Sequence, residues 1–249
     1  MHDLTTFGST YRKINLVGEI MKRHSSLLVL LITALAASCL WTSSAQADDK
    51  DLRHAFPEPV ILIDAGHGGI DGGTSYGEIL EKDINLAISR RLYMVLRSHG
   101  YRTILNRTGD YALSDDNRWL RSRSRHIRDL AQRKQLTEEL PAEIVVSLHV
   151  NWGRNKSKRG PLVLHQDEGR SAILASSLQN SLETLYGTAH PTQLGKPFYL
   201  LKHADSPAVI VETGFISNAE DRNMLISTRG QQAIAEAIYA GIVEYFTVI

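Results

Sequence analysis

The stretch "PVILIDAGHGGIDGG", Pro59 to Gly73, joins an aliphatic run to a loop in which one histidine, His67, stands among five glycines and two aspartates. "PVILIDA" (Pro59 to Ala65) is almost continuously apolar, as expected of a strand buried on both faces of a helix-covered sheet. The loop behind it does not match the two familiar phosphate cradles. The dinucleotide pattern G-x-G-x-x-G would start at Gly66 and Gly68 but meets Asp71 where its third glycine belongs. The P-loop needs a Lys-Ser/Thr after its last glycine, and none follows. The role of His67 has to come from the rest of the chain.

Working outward, strand-like and helix-like runs alternate. "INLAISRRLYMVLRSHG" puts Ile84, Ile88, Leu92, Val95 and Leu96 on one helical face, with Gly100 as a stop signal. "RTILNR", "EIVVSLHV" (Glu143 to Val150), "PLVLHQ" and "AVIVETGF" (Ala208 to Phe215) read as strands. Helices are expected from about Ser171 to Tyr186 and from about Gly230 to Phe246. The alternation predicts a single α/β domain, a largely parallel twisted sheet flanked by helices. In such sheets, sites gather beyond the carboxyl ends of the strands.

Composition sets the bounds. The 249 residues are 43% hydrophobic and 22% charged, enough for one sizeable core, and a formal charge of +1 gives no argument for nucleic acid. The single cysteine, Cys39, excludes an internal disulfide framework and a cysteine-built zinc site, so any metal must be held by His, Asp or Glu. Ahead of the domain, Lys22 and Arg23 precede an apolar run from Leu27 to Trp41 and an A-x-A site at Ala45-Gln46-Ala47. That is a secretory signal peptide, with Met21 as an alternative start and an uncleaved anchor as the competing reading. The run is shorter than the roughly 20 residues of a membrane span. Residues 1–47 are therefore read as extension and signal, 48–58 as a short leader, and 59–249 as the folded domain. The mature protein is expected to be exported, to the periplasm or cell exterior, without a stable membrane span.

Three ionisable residues sit where apolar strands finish: His67, His149 and Glu212. Charges are expensive in a core unless paired or bound to metal. Two histidines and a carboxylate make a His/His/Glu zinc site with one position open, the mark of a catalytic zinc. Glu81, at the entrance of the helix starting near Asp83, is the natural third ligand. That leaves Glu212 as the base, since a coordinated water has its pKa lowered to around 7 and a carboxylate can pass its proton to a leaving amine. The glycines would thin the backbone so that a substrate comes close to the metal. Asp64 either orients a histidine or bonds the loop's own amides. Taken alone, each histidine is more often a hydrogen-bonded structural residue than a ligand.

"IDAGHGGIDGG", "EKDINLAI", "SLHVN" and "PAVIVETGFISNAEDRNML" occur in this order, and together they resemble the zinc-dependent N-acetylmuramoyl-L-alanine amidases, a cell-wall family with a zinc-exopeptidase-like α/β fold. The resemblance runs from about Pro59 to the C-terminus. It implies one Zn2+ held by His67, Glu81 and His149, with Glu212 catalytic. The implied reaction cleaves the amide between N-acetylmuramic acid and the L-alanine of the stem peptide, in peptidoglycan or muropeptides.

Departures from the family pattern are local. Arg133 stands sixteen residues before His149, as the family arginine does, but Thr137 and Glu138 replace the usual Ala-Asn. About 111–129 is extra sequence carrying Arg118, Arg121, Arg123, Arg125 and Arg128 with Trp119. It reads as a solvated basic face, or as a contact with anionic polymer, stem-peptide carboxylates or a regulatory protein, since arginine forks pair carboxylates in two-point geometry. Asn151, Arg133 and Lys202 are the candidate substrate contacts, Asn151 also serving to position the His149 turn. His165 is read as structural. No long inserted helix between Asn151 and Phe198 is evident to occlude the site. The competing functions are a catalytically silent peptidoglycan-binding adaptor and a zinc peptidase acting within the stem peptide.

Overall fold

A six-stranded sheet in the order β4-β1-β5-β8-β6-β7 organises the chain. The computed structural model describes residues 60–249 apart from 116 and 118. The segments read as signal peptide and leader, and Arg118, lie outside the described residues. The elements are β1 (Val60–Ala65), β2 (Ser75–Tyr76), β3 (Ile79–Leu80), α1 (Glu81–Ser98), β4 (Arg102–Leu105), α2 (Arg125–Glu139), β5 (Ala142–Asn151) and β6 (Leu162–His165). They continue with α3 (Gly169–Tyr186), β7 (Gln193–Leu194), α4 (Tyr199–His203), β8 (Ala208–Phe215), α5 (Ala219–Ile226) and α6 (Thr228–Val248). Strands β4, β1, β5 and β8 run parallel; β6 turns antiparallel to β8 and carries the short β7 beside it.

Alternate residues of the strands feed two cores. Ile61 and Ile63 of β1, Val146, Leu148 and Val150 of β5, and Val209 and Val211 of β8 face the larger one, covered by α1, α3 and α6. The opposite face carries Leu62, Val145, Ala208 and Ile210, packed under Leu136 of α2 and Leu200 and Leu201 of α4. On this second face the side chains change character toward the carboxyl ends. Leu62 is followed by Asp64, Val145 by Ser147 and His149, and Ile210 by Glu212. The period of two therefore delivers all of these polar groups to one side of the sheet, where the strands end.

The long strands and helices end within a few residues of their sequence-read bounds. The Arg-rich stretch does not stay a loop. After a single 3-10 turn (Leu113–Asp115), Ser124 caps the start of α2 by accepting from the Ile127 amide, so Arg125 and Arg128 are helical. Between Asn151 and Phe198 the long helix is α3, which packs on α6 and belongs to the larger core. Among the described residues no helix is long and apolar enough to cross a membrane.

Candidate active site

His67, Glu81 and His149 converge from three elements. His67 stands on the loop after β1, Glu81 is the first residue of α1, and His149 lies near the end of β5. One ligand atom from each lies within 4.8 Å of the others. Glu81 Oε1 is 3.2 Å from His67 Nε2 and 3.0 Å from His149 Nδ1. The same oxygen accepts from the Val150 amide at 2.9 Å and from Asn85 Nδ2 at 3.3 Å, while Oε2 accepts from the Thr74 amide at 2.8 Å. Burial disfavours charge on Glu81, but its hydrogen bonds and proximity to both histidines outweigh that and hold its pKa well below the carboxylate range. His67 Nδ1 faces Asp71 Oδ2 at 2.8 Å. Burial works to lower the His67 pKa, yet its hydrogen bonds to Asp71 and Glu81 raise it to about 9.

The glycines are what let these groups meet. A Cβ on Gly66 would lie 2.5 Å from His149 Cε1, and one on Gly73 would lie 2.5 Å from Glu81 Oε2 and 2.8 Å from His67 Cδ2. Real Cβ atoms do not approach this closely, so either side chain would push the constellation apart. Thin backbone serves the closeness of the three side chains, where the sequence had suggested access for the substrate.

Glu212 pairs in register with His149, and both face a cavity of about 420 Å³ beyond the strand ends. Its Oε2 is buried without a hydrogen-bond partner among the described residues. Burial pushes the carboxyl's pKa up, the nearby Glu81 charge adding to this and the histidines opposing it. Phe198 and Tyr199, at the start of α4, line one wall of the cavity, and His126 and Asp129 of α2 line another.

A family model described as N-acetylmuramoyl-L-alanine amidase matches residues 61–244. The chain belongs to this family. It is 31% identical over 190 residues to the germination-specific N-acetylmuramoyl-L-alanine amidase of Bacillus subtilis (strain 168), covering 76% of this chain and 80% of the relative. To the amidase AmiA of Salmonella typhimurium it is 28% identical, over 92% of this chain and 94% of that one. Among solved structures, the CwlD amidase from Clostridioides difficile, in complex with the GerS lipoprotein, superposes with a TM-score of 0.72 at 32% identity. That match covers 77% of this chain and all of the other (100%).

Other residues flagged in the sequence take different places in the amidase fold. Arg133 lines the cavity, but its guanidinium is held inside the protein, donating to Asp64, to Asp129 at 2.7 Å, and to the backbone carbonyls of Ala65 and His67 at 3.0 Å each. It fastens the loop that carries His67. Asp64 accordingly neither orients a histidine nor bonds the loop's amides. It accepts from Arg133, Asn106 and Ser147; burial raises its pKa, but Arg133, the Ser147 hydrogen bond and the nearby His149 outweigh this and keep it low. Asn151 accepts from the Trp152 amide at 2.8 Å and lies outside the cavity wall, which suits the turn after His149. Lys202 is exposed on α4, also off the wall. His165 bonds the Gln166 carbonyl at 2.7 Å, a structural contact.

Sequence reasoning passed over Asn85, Asn106 and Arg107. Fully buried Arg107 donates to the carbonyls of Ala65, Gly66, Lys82 and Gly109, tying β1's loop to the first turn of α1. Asn106 accepts from the Ala65 amide at 2.9 Å. Both follow directly on "RTIL", so the test that selected His149 and Glu212, polar residues where an aliphatic strand ends, also selects them.

Proposed function

We propose that this chain hydrolyses the amide joining N-acetylmuramic acid to L-alanine of the peptidoglycan stem peptide, with zinc at His67, Glu81 and His149 and with Glu212 as general base and then acid. The donor set fits zinc: two imidazole nitrogens and one carboxylate oxygen, in protein-held positions beside an open cavity, are the three ligands a catalytic zinc uses. When bound, zinc polarises the scissile carbonyl and makes water a nucleophile near neutral pH. Glu81 is fixed by Val150, Asn85 and Thr74, and His67 is turned so that Nδ1 meets Asp71 and Nε2 meets Glu81. Glu212 lines the cavity, and its Oε2 has no hydrogen-bond partner among the described residues. That oxygen takes a proton from the attacking water and delivers it to the departing alanine nitrogen; its raised pKa makes it the stronger base. The observation that carries this reading is that Glu212, a buried carboxyl whose Oε2 has no hydrogen-bond partner among the described residues, lines the same cavity as His67, Glu81 and His149.

The boundaries follow the same reading: residues 59–249 form the catalytic domain behind a signal peptide ending at Ala47, and the product acts outside the cytoplasmic membrane, in the periplasm or at the cell exterior. Digestion of purified peptidoglycan by residues 48–249, with zinc and after its removal, tests it. Stem peptides with a free L-alanine amine are expected. Glu212→Gln should cut the rate by about 10²- to 10⁴-fold while zinc still binds. No release from folded, zinc-loaded protein, on polymer or on muropeptides, would overturn the amidase reading.

A further inference from the structure

We propose that the basic segment running into the first turn of α2 forms a subsite for the stem peptide, in which Arg125 reads the glutamate α-carboxylate of the substrate. This rests on the amidase reading above. A second pocket of about 210 Å³ opens beside the catalytic cavity, bounded by Ile70, Asp71, Arg125, His126 and Asp129. Asp71, His126 and Asp129 also line the catalytic cavity, so the two spaces share a wall.

The pocket's acids are already engaged. Asp71 bonds His67, and Asp129 accepts from Arg133 and from the Ser114 amide. The cation is not: among the described residues the Arg125 side chain has no hydrogen bond or ion pair, and neither do those of Arg121 and Arg123 just before it. All three are exposed. Ile70 is also exposed, at 73%, beside an unpaired guanidinium. An apolar surface next to an uncommitted cation suits a peptide that carries both methyl groups and carboxylates.

Another part of the catalytic cavity's lining is different in kind. It is built from Pro197, Phe198, Tyr199 and Leu200 and has no charged group. The substrate is asymmetric in the same way. Once the lactyl carboxyl of muramic acid is tied up in the scissile amide, the sugar strand is uncharged, whereas the peptide keeps its carboxylates. Charge complementarity therefore sets the direction of binding: sugar toward α4, peptide toward the start of α2. The α-carboxylate of the second residue, glutamate, is the first free carboxylate beyond the scissile bond, and so the one this subsite would read.

The test uses zinc-loaded protein and two N-acetylmuramoyl tripeptides that differ only in a free or amidated glutamate α-carboxylate. The unaltered protein is expected to favour the free acid in kcat/KM by about tenfold. Raising the salt from about 0.05 to 0.5 M should shrink that ratio. Arg125→Gln, and a triple variant with Arg121→Gln and Arg123→Gln, should bring the ratio close to one. Calorimetry with the two free tripeptides reads the same preference without turnover. Equal rates and equal binding for acid and amide in the unaltered protein, or a preference that survives in the triple variant, would overturn the subsite. Failure to cleave either compound would count against the amidase reading instead, and the calorimetric arm would still decide the subsite.

Discussion

His67 is the one non-glycine residue with positive φ among those described, at 60°, a conformation uncommon for a residue with a side chain. The strain is held by Arg133, which donates to the His67 carbonyl, and by Asp71, which holds the ring. Asp71 settles which nitrogen is left for a metal. With Nδ1–H donated to its carboxylate, Nε2 is the atom presented to Glu81 and His149, and a carboxylate on the far side of a ligating imidazole raises its basicity. Asp71 is itself half-exposed, and its pKa is lowered to about 2, chiefly by the His67 hydrogen bond. Asp71→Asn keeps the size and can still accept, but it removes the charge. Zinc affinity, measured by chelator competition, should fall by about 10- to 100-fold, and the metal-free protein should melt at a lower temperature below about pH 9, because the Asp71 carboxylate helps to raise the His67 pKa. An unaltered zinc affinity would reduce Asp71 to a loop contact.

At the scale of elements, α3 and α6 pack so closely that a glycine marks the crossing. A Cβ on Gly241 would lie 2.8 Å from Leu178 Cα and 2.9 Å from the Ser177 carbonyl, backbone atoms that cannot swing away. Gly241→Ala gains helix propensity worth about 1 kcal/mol. It also forces the helices apart, and overpacking costs about 1–3 kcal/mol. Because the clash is with backbone, the second effect wins, and calorimetry should show a melting temperature lower by a few degrees. The strands β1, β5 and β8 were legible as short, nearly continuous aliphatic runs, and α1, α3 and α6 because their apolar residues keep a period of about 3.6. The helix α2 was not. Its buried residues are Ala131, Arg133 and Thr137, so its inner face carries little apolar signal and its arginines read as surface. The antiparallel turn of β6 was equally hidden, since four residues of "LVLH" carry no direction. In the site, His67, His149 and Glu212 were legible as polar residues ending apolar strands. Arg133 was visible only as a family position: its contact with Asp129 is one turn of a helix that the sequence did not reveal, and its contact with Asp64 joins residues 69 apart, which spacing does not show.

For the whole molecule, the cluster of His67, Glu81 and His149 is a clasp between parts that lie far apart in the chain. The loop after β1, the first turn of α1 and the end of β5 meet there, 68 residues separating Glu81 from His149. Without metal, protons do part of this joining. His67, with a folded pKa raised to about 9 against about 6.5 in an unfolded chain, contributes stability that is complete below about pH 6.5. That contribution fades as the pH rises through about 9, because the folded state then gives up a proton whose binding favoured it. The metal-free protein should therefore melt at progressively lower temperature between about pH 6.5 and 9, and His67→Gln should flatten the slope over that window. Zinc takes the place of those protons, so its effect must run the other way. At free zinc about a thousandfold above Kd, binding stabilises by about 4 kcal/mol, and the gap between zinc-loaded and chelator-treated melting temperatures should widen across the same pH range. Melting curves collected every half pH unit, with zinc and with chelator, measure both trends together. A metal-free curve with no slope there would mean that the imidazole is not held by its acids in solution. A zinc-independent melting temperature would mean that the three residues do not hold the ion at all.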